Sequence, residues 1–286
     1  MLNLFKPPIS LKKWIGIAFL LLIFWLILLT FLYAPTLIRS IFLKDLYLDK
    51  LKFEQTDIYV NPAMNKEERQ NIIILYKKSR IRIDSLFGSS RARPSILVGT
   101  TNEVMQRFGN SNAQGQTGMT HLTPFGTYII LSPEGTNIDV LSHELSHAEL
   151  IERLGWQTRR NKIPIWFDEG LAMLVDKRFE YWTTLQQDWR NLIDIEKNDS
   201  NINSNSDFYS TTPLDSDSLS LSSFELQNLQ TTEQFFTENA QIHYFLSQEE
   251  VARWYTEKGQ KGLLQLIENL KENSFEDSYN VEKSTQ

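Results

Sequence analysis

The N-terminal region carries one long apolar run. From Trp14 to Tyr33 the sequence reads WIGIAFLLLIFWLILLTFLY, without a charged residue. A helix rises ~1.5 Å per residue, so this run is long enough to span a hydrocarbon core of about 30 Å. A cleaved signal peptide is the competing interpretation, but the run exceeds the usual apolar region of such peptides, and residues 32–35 form a poor cleavage site. The pattern therefore predicts an uncleaved transmembrane helix at 14–33, preceded by a short segment, 1–13.

Basic residues flank this run on both sides in similar numbers. They precede it at Lys6, Lys12 and Lys13, and follow it at Arg39, Lys44, Lys50 and Lys52. Charge counting therefore does not set the orientation. Large C-terminal regions can be translocated largely regardless of charge, which favours a cytoplasmic N-terminus with the rest of the chain outside the cytoplasm. The expectation is a single-pass membrane protein that contacts the lipid bilayer through residues 14–33.

After the apolar run, strand and helix periodicities alternate along the chain. Residues 34–56 are interpreted as a juxtamembrane linker that leads into a strand ending at Val60. Short apolar runs between Gly and Pro predict two further strands, at 94–99 and 127–132. Helical spacing predicts helices at 65–87, 102–108 and 139–154. A further helix is predicted to start at Pro164 or Phe167. The region 233–273 is predicted to hold two helices, separated at Gly259 or Gly262.

Two polar stretches interrupt these elements. Residues 109–118 are Gly-rich, and residues 198–223 are rich in Asn, Ser, Thr and Asp. Both compositions favour loops over packed elements. The sequence thus predicts one α+β domain at 57–275, followed by a flexible tail at 276–286.

Composition excludes several kinds of chemistry. The net charge of −6 and the pI near 5.4 provide no basic surface of the kind that binds phosphate backbones, so nucleic acid is not an expected partner. Cysteine is absent, which rules out disulfides, thiolate metal ligands and a cysteine nucleophile. Only four histidines are present, at positions 121, 143, 147 and 243.

Two of these histidines form an H-E-x-x-H motif, His143-Glu144-Leu145-Ser146-His147. On a helix, positions four apart differ by about 40° around the axis, so both imidazoles can reach one ion. Glu144 projects in a neighbouring direction, where it can take a proton from water without being a ligand. Ordinary surface histidines on a helix are the alternative interpretation of this motif.

A third ligand is available in the next predicted helix. Its sequence, Trp166-Phe167-Asp168-Glu169-Gly170-Leu171-Ala172, offers two acidic residues. A catalytic zinc needs three protein ligands and one open position, and a His₂Glu set satisfies this requirement, with Glu169 as the best candidate. Asp168 is interpreted either as a partner of a ligand or as a charge stabilised by the helix N-terminus.

Together these residues resemble the gluzincin peptidases of the thermolysin-like superfamily, in which an H-E-x-x-H helix is followed by a helix with an acidic ligand. The resemblance implies Zn²⁺ bound by His143, His147 and Glu169, with Glu144 as catalytic base. It also implies a zincin-like α+β fold: a small mixed sheet, the motif helix and a helical C-terminal lobe. The metzincin pattern is excluded, because no histidine lies about ten residues after His147.

Two further features are assigned by this resemblance. Residues 128–131 correspond to the edge strand that receives an extended peptide by strand addition. The segment around Ala240 to Leu270 resembles the C-terminal helical part of such domains, where Tyr244, or else His243, can donate to a developing oxyanion. Packing between helices is an equally good interpretation of either side chain, and His121 is interpreted as incidental to the site.

The expected function is hydrolysis of peptide bonds by a membrane-anchored zinc metallopeptidase, with a peptide or protein as substrate. The alternative is a catalytically inactive zincin-fold protein that binds or scaffolds partners in the cell envelope. An intramembrane protease is disfavoured, because the motif lies far from the apolar run and has polar neighbours.

Overall fold

The computed structural model describes residues 11–33, 48–101, 104–105, 116–123, 126–179, 226, 228–237 and 240–280. These residues form five strands and several helices of an α+β fold. The strands are β1 Asp49–Phe53, β2 Thr56–Val60, β3 Ser95–Val98, β4 Gly118–Thr123 and β5 Gly126–Leu131. The helices are α1 Leu11–Tyr33, α2 Lys66–Phe87, α3 Ile138–Leu154, α4 Trp156–Lys162, α5 Ile165–Met173, α6 Thr232–Phe235, α7 Ala240–Asn269 and α8 Phe275–Asn280.

The strands form one mixed sheet in the order β1-β2-β3-β5-β4. Strands β2, β3 and β5 run parallel to one another, whereas β1 and β4 are antiparallel to their neighbours. The central residues of the sheet, Ile58, Ile96 and Ile129, are at most 1% exposed, so the core of the domain begins here. The prediction of an α+β class with a small mixed sheet is confirmed.

The position of the edge strand differs from the prediction. Residues 128–131 lie on β5, which is hydrogen-bonded to β3 on one side and to β4 on the other. The prediction that they form the edge was therefore wrong, and β4 occupies that position. His121, for which no strand was predicted, lies on β4 opposite Tyr128. The sheet also starts earlier than predicted, because β1 lies within 34–56, the predicted linker.

Local signals explain where α2 begins and ends. Asn65 accepts a hydrogen bond from the backbone N–H of Glu68, and the Glu68 carboxylate accepts one from the backbone N–H of Asn65, which completes a capping box. The helix stops at Gly88, whose φ of 81° is easily reached only without a Cβ. The helix predicted at 65–87 is confirmed, and its buried residues pack against α3.

The H-E-x-x-H motif lies on α3, as predicted. Asn137 caps the helix by accepting hydrogen bonds from the backbone N–H groups of Asp139 and Val140, and Gly155 ends it. Helix α3 packs against α2, α5 and the strands β4 and β5. The motif is thereby enclosed on several sides, and every residue from Val140 to Ile151 is buried.

The C-terminal helices cover the other side of α5. Helix α7 packs closely along α5 at Gly170, where an added Cβ would lie 2.4 Å from the backbone oxygen of Ser247. The path of α7 is broken at Gly259, which has a φ of 63°. Aromatic side chains of α5, α7 and α8 pack edge-on or stacked around this contact, namely Trp166, Phe167, Trp254, Phe275 and Tyr279.

Helix α1 contains the apolar run of the N-terminal region. Its large side chains from Trp14 to Ile27 are exposed in the isolated chain. No helix in the described part of the chain meets the length and apolarity that crossing a membrane requires. Most of the helix predicted at 102–108, the whole 198–223 loop and most of the C-terminal tail lie outside the described residues.

Candidate metal centre

Three side chains from helices α3 and α5, which are separated in the chain by the short helix α4, converge beneath the sheet. His143 and His147 lie one turn apart on α3, and Glu169 is on α5. One potential ligand atom from each residue lies within 4.8 Å of the other two. Each residue is only 6% exposed, so the three groups face one another in an environment that excludes most of the solvent.

The distances in this group suit a single small cation. Glu169 Oε2 lies 3.2 Å from His143 Nε2 and 3.6 Å from His147 Nε2. Two ligand atoms of a tetrahedral zinc, each at 2.0–2.2 Å from the metal, are separated by about 3.3 Å. Two imidazoles and one carboxylate are also a donor set that zinc uses in catalytic sites. The residues present therefore fit a zinc ion.

The far side of His147 is held by Asp168 and Arg159. Nδ1 of His147 lies 2.8 Å from Asp168 Oδ1, and the Arg159 guanidinium forms an ion pair with the other oxygen of this carboxylate. Asp168 is 4% exposed. In a neutral imidazole, a hydrogen bond from Nδ1–H to a carboxylate leaves the lone pair on Nε2, the nitrogen that lies 3.6 Å from Glu169 Oε2. This contact favours the interpretation in which Asp168 is the hydrogen-bond partner of a metal ligand, His147.

His143 has a similar neighbour, which the sequence did not reveal. Nδ1 of His143 lies 3.2 Å from Asp176 Oδ2, an ion-pair contact without the alignment of a hydrogen bond. Arg178 Nε donates to both oxygens of this carboxylate, at 2.9 and 3.0 Å. Each imidazole is therefore backed by an aspartate, and each aspartate is paired with an arginine from a segment outside the motif.

The pKa of each side chain in this group depends on the charges of its neighbours. Burial disfavours a charged imidazole, but Asp176 and Glu169 outweigh it and raise the pKa of His143 to about 9. Burial likewise opposes charge on His147, whose pKa is nevertheless held well above its ordinary value by Asp168 and Glu169. Burial alone would raise the pKa of Glu169, yet the two imidazoles hold it well below its usual range. The acidic side chains thus favour positive charge at both imidazoles, which is the charge that a bound cation would also supply.

The Glu144 carboxylate contacts strand β4. Its Oε2 accepts a hydrogen bond of 2.6 Å from the hydroxyl of Thr120, and it is 7% exposed. Gly118 lies on the same strand face, where an added Cβ would come within 2.8 Å of Glu144 Oε1. Glu144 is thus separate from the three potential ligands, as a base must be.

Of the two predicted oxyanion donors, Tyr244 lies at this site. Its ring centroid is 6.2 Å from that of His143, and its hydroxyl lies close enough to Glu169 for that carboxylate to affect its pKa. Burial, together with the charges of Glu169 and Glu144, raises the Tyr244 pKa well above its ordinary value, so the hydroxyl keeps its proton. His243 instead directs Nδ1 at the backbone oxygen of Phe235, 2.7 Å away.

His121 lies on the opposite face of the sheet from the motif. Along a strand, side chains alternate between faces, and Thr120 faces Glu144, so His121 and Met119 face the other way. Burial lowers the pKa of His121. This placement agrees with the prediction that His121 is incidental to the site.

A comparison with protein families matches residues 137–270 to a family described as a protein of unknown function (DUF1570). The match begins at the N-cap of α3 and ends one residue after α7, so it contains all three potential ligands, Glu144 and Tyr244. No curated protein and no solved structure matches the chain.

Proposed function

We propose that this chain is a zinc-dependent peptidase with a zincin-like fold, in which His143, His147 and Glu169 hold the metal. The observation that carries this proposal is the convergence of three buried ligand atoms, with both Glu169–histidine separations close to those around a tetrahedral ion, beside a carboxylate that is not part of the set. A purely structural zinc site is expected to have four protein ligands, whereas three leave a position for solvent.

When bound, zinc would act as a Lewis acid that acidifies water and polarises a carbonyl group. Glu144 accepts the proton of the attacking water and later delivers it to the departing amine. The Tyr244 hydroxyl donates to the oxygen that becomes negatively charged in the transition state. Asp168 and Asp176 hold the imidazoles with Nε2 directed inward.

The edge position of β4 supports a peptide as substrate. Within the described residues, β4 pairs only with β5, so its outer edge is available for hydrogen bonds to an extended chain. Thr120 and Gly118 of this strand contact Glu144, which would bring an added strand close to the base. We also propose that residues 14–33 tether the chain to a lipid bilayer, with the catalytic domain outside the cytoplasm.

The purified full chain provides the direct test. Its zinc content and its hydrolysis of casein or a peptide library are measured beside Glu144→Gln, with Glu152→Gln, an exposed position on the same helix, as the matched control. Loss of a general base lowers the rate by about 10²–10⁴-fold. We expect stoichiometric zinc in all three chains and loss of cleavage in Glu144→Gln alone. Bound zinc without any Glu144-dependent cleavage would favour the binding or scaffold protein.

A further inference from the structure

The Thr120 hydroxyl is hydrogen-bonded to the Glu144 carboxylate. The hydroxyl Oγ1 lies 2.6 Å from Glu144 Oε2 and 3.0 Å from the backbone oxygen of the same residue. One hydroxyl from the sheet thus faces both the side chain and the main chain of Glu144 on the motif helix. A hydroxyl–carboxylate bond of this length belongs to the stronger, charge-assisted class.

The neighbouring glycine gives the carboxylate its space. An added Cβ at Gly118 would lie 2.8 Å from Glu144 Oε1 and 2.6 Å from a Val140 methyl carbon. Gly118 and Thr120 are two residues apart on β4 and therefore lie on the same face of the strand. Gly118 leaves room for one carboxylate oxygen, and Thr120 binds the other.

We infer that Thr120 is a positioning residue for the base: it binds Glu144 Oε2 while Gly118 leaves room for Oε1, and together they fix the orientation of the carboxylate. The inference rests on the proposed peptidase function and assigns a role to an edge-strand side chain. Because a hydroxyl can accept as well as donate, Thr120 remains a partner of Glu144 after the carboxylate has taken up a proton from water. Thr120 also belongs to β4, the strand proposed to bind the peptide. Its side chain therefore connects the alignment of a bound peptide on β4 with the position of the Glu144 carboxylate.

Two substitutions separate the hydroxyl from the shape of the side chain. Thr120→Val keeps the branched shape and removes the hydroxyl, while Thr120→Ser keeps the hydroxyl. Thr127→Val makes the same change on β5, at the position opposite Leu122, and serves as the matched control. Zinc content is measured for each full chain, and we expect it to stay equal to that of the wild type.

Kinetics then distinguish positioning from a general structural role. Misplacing a reacting group by about 1 Å can cost roughly 100-fold in rate, so we expect kcat of Thr120→Val to fall about 10- to 100-fold, with KM little changed. Thr120→Ser should recover most of that loss, and Thr127→Val should resemble the wild type. A wild-type kcat in Thr120→Val would overturn the inference, as would a loss of activity that Thr120→Ser shares.

Crystal structures of the wild type and Thr120→Val give a readout that does not depend on turnover. We expect the Glu144 carboxylate to leave β4 in the variant, while the positions of His143, His147 and Glu169 are unchanged. An unmoved carboxylate would refute the positioning role even if the chain hydrolysed no peptide. Failure of the proposed function, seen as absence of Glu144-dependent cleavage in the wild type, is therefore distinguishable from failure of this inference.

Discussion

Substitution of Asp176 by Asn tests whether the aspartates behind the histidines support metal binding. Asp176 is 1% exposed and lies 3.2 Å from His143 Nδ1. Asparagine preserves the shape of the side chain and can still accept from Arg178, but it removes the negative charge. The change therefore perturbs the electrostatics behind one ligand and leaves the three ligands in place.

The expected effect has two opposing parts. Removing an outer carboxylate partner of a ligating histidine typically weakens metal binding by 10–100-fold, about 1.4–2.7 kcal/mol. Asp176 also helps to raise the pKa of His143 to about 9. At pH 7 a metal must therefore displace a proton from His143, which lowers the apparent metal affinity by roughly 100-fold. Because Asp176→Asn removes the negative charge beside His143, the proton competes less strongly with the metal in the variant. We therefore expect its affinity deficit to be close to the full 10–100-fold near pH 9.5 and smaller at pH 7.

Zinc affinity is measured by competition with a fluorescent chelator at both pH values. Asp49→Asn is the matched control, because Asp49 and Arg69 form an exposed Asp–Arg pair on β1 and α2, without a histidine. The control should bind zinc like the wild type. Equal affinities of Asp176→Asn and the wild type at pH 9.5 would refute the supporting role of Asp176.

Three other outcomes follow from the geometry. Gly170→Ala should lower the free energy of unfolding by about 1–3 kcal/mol or more in urea denaturation, because its Cβ would lie 2.4 Å from the Ser247 oxygen; unchanged stability would contradict the packing of α5 on α7. Tyr244→Phe should reduce kcat by about 10²–10³-fold with little effect on KM, and a normal kcat would remove Tyr244 from the mechanism. The raised pKa of His143 stabilises the metal-free fold fully below its ordinary value of 6.5, and that stability is lost as pH rises toward about 9. The melting temperature of the chelator-treated chain should accordingly fall over this interval, and a flat profile would contradict the coupling.

The sequence was most informative where chemistry and helix periodicity coincide. The spacing of His143 and His147 predicts a shared helix face by geometry alone, and the helix predicted at 139–154 is observed at Ile138–Leu154. Glu169 followed from the ligand number that a catalytic zinc needs. These three potential ligands are the ones that the fold brings together.

The sequence was less informative where the answer depends on contacts between distant segments. The strand β4, GMTHLT, has only weak alternation and follows a Gly-rich stretch, so its place at the sheet edge was missed. Asp176 and Thr120 acquire their significance only because Arg178, His143 and Glu144 lie beside them in space. No local periodicity encodes such proximity.

Anomalous diffraction at the zinc absorption edge, from crystals of the full chain grown with zinc, tests the central claim most directly. The account predicts one strong peak about 2.0–2.2 Å from His143 Nε2, His147 Nε2 and a Glu169 oxygen, with a water or buffer oxygen completing the coordination. A peak elsewhere, no peak at this position, or a fourth protein ligand that closes the site would contradict it.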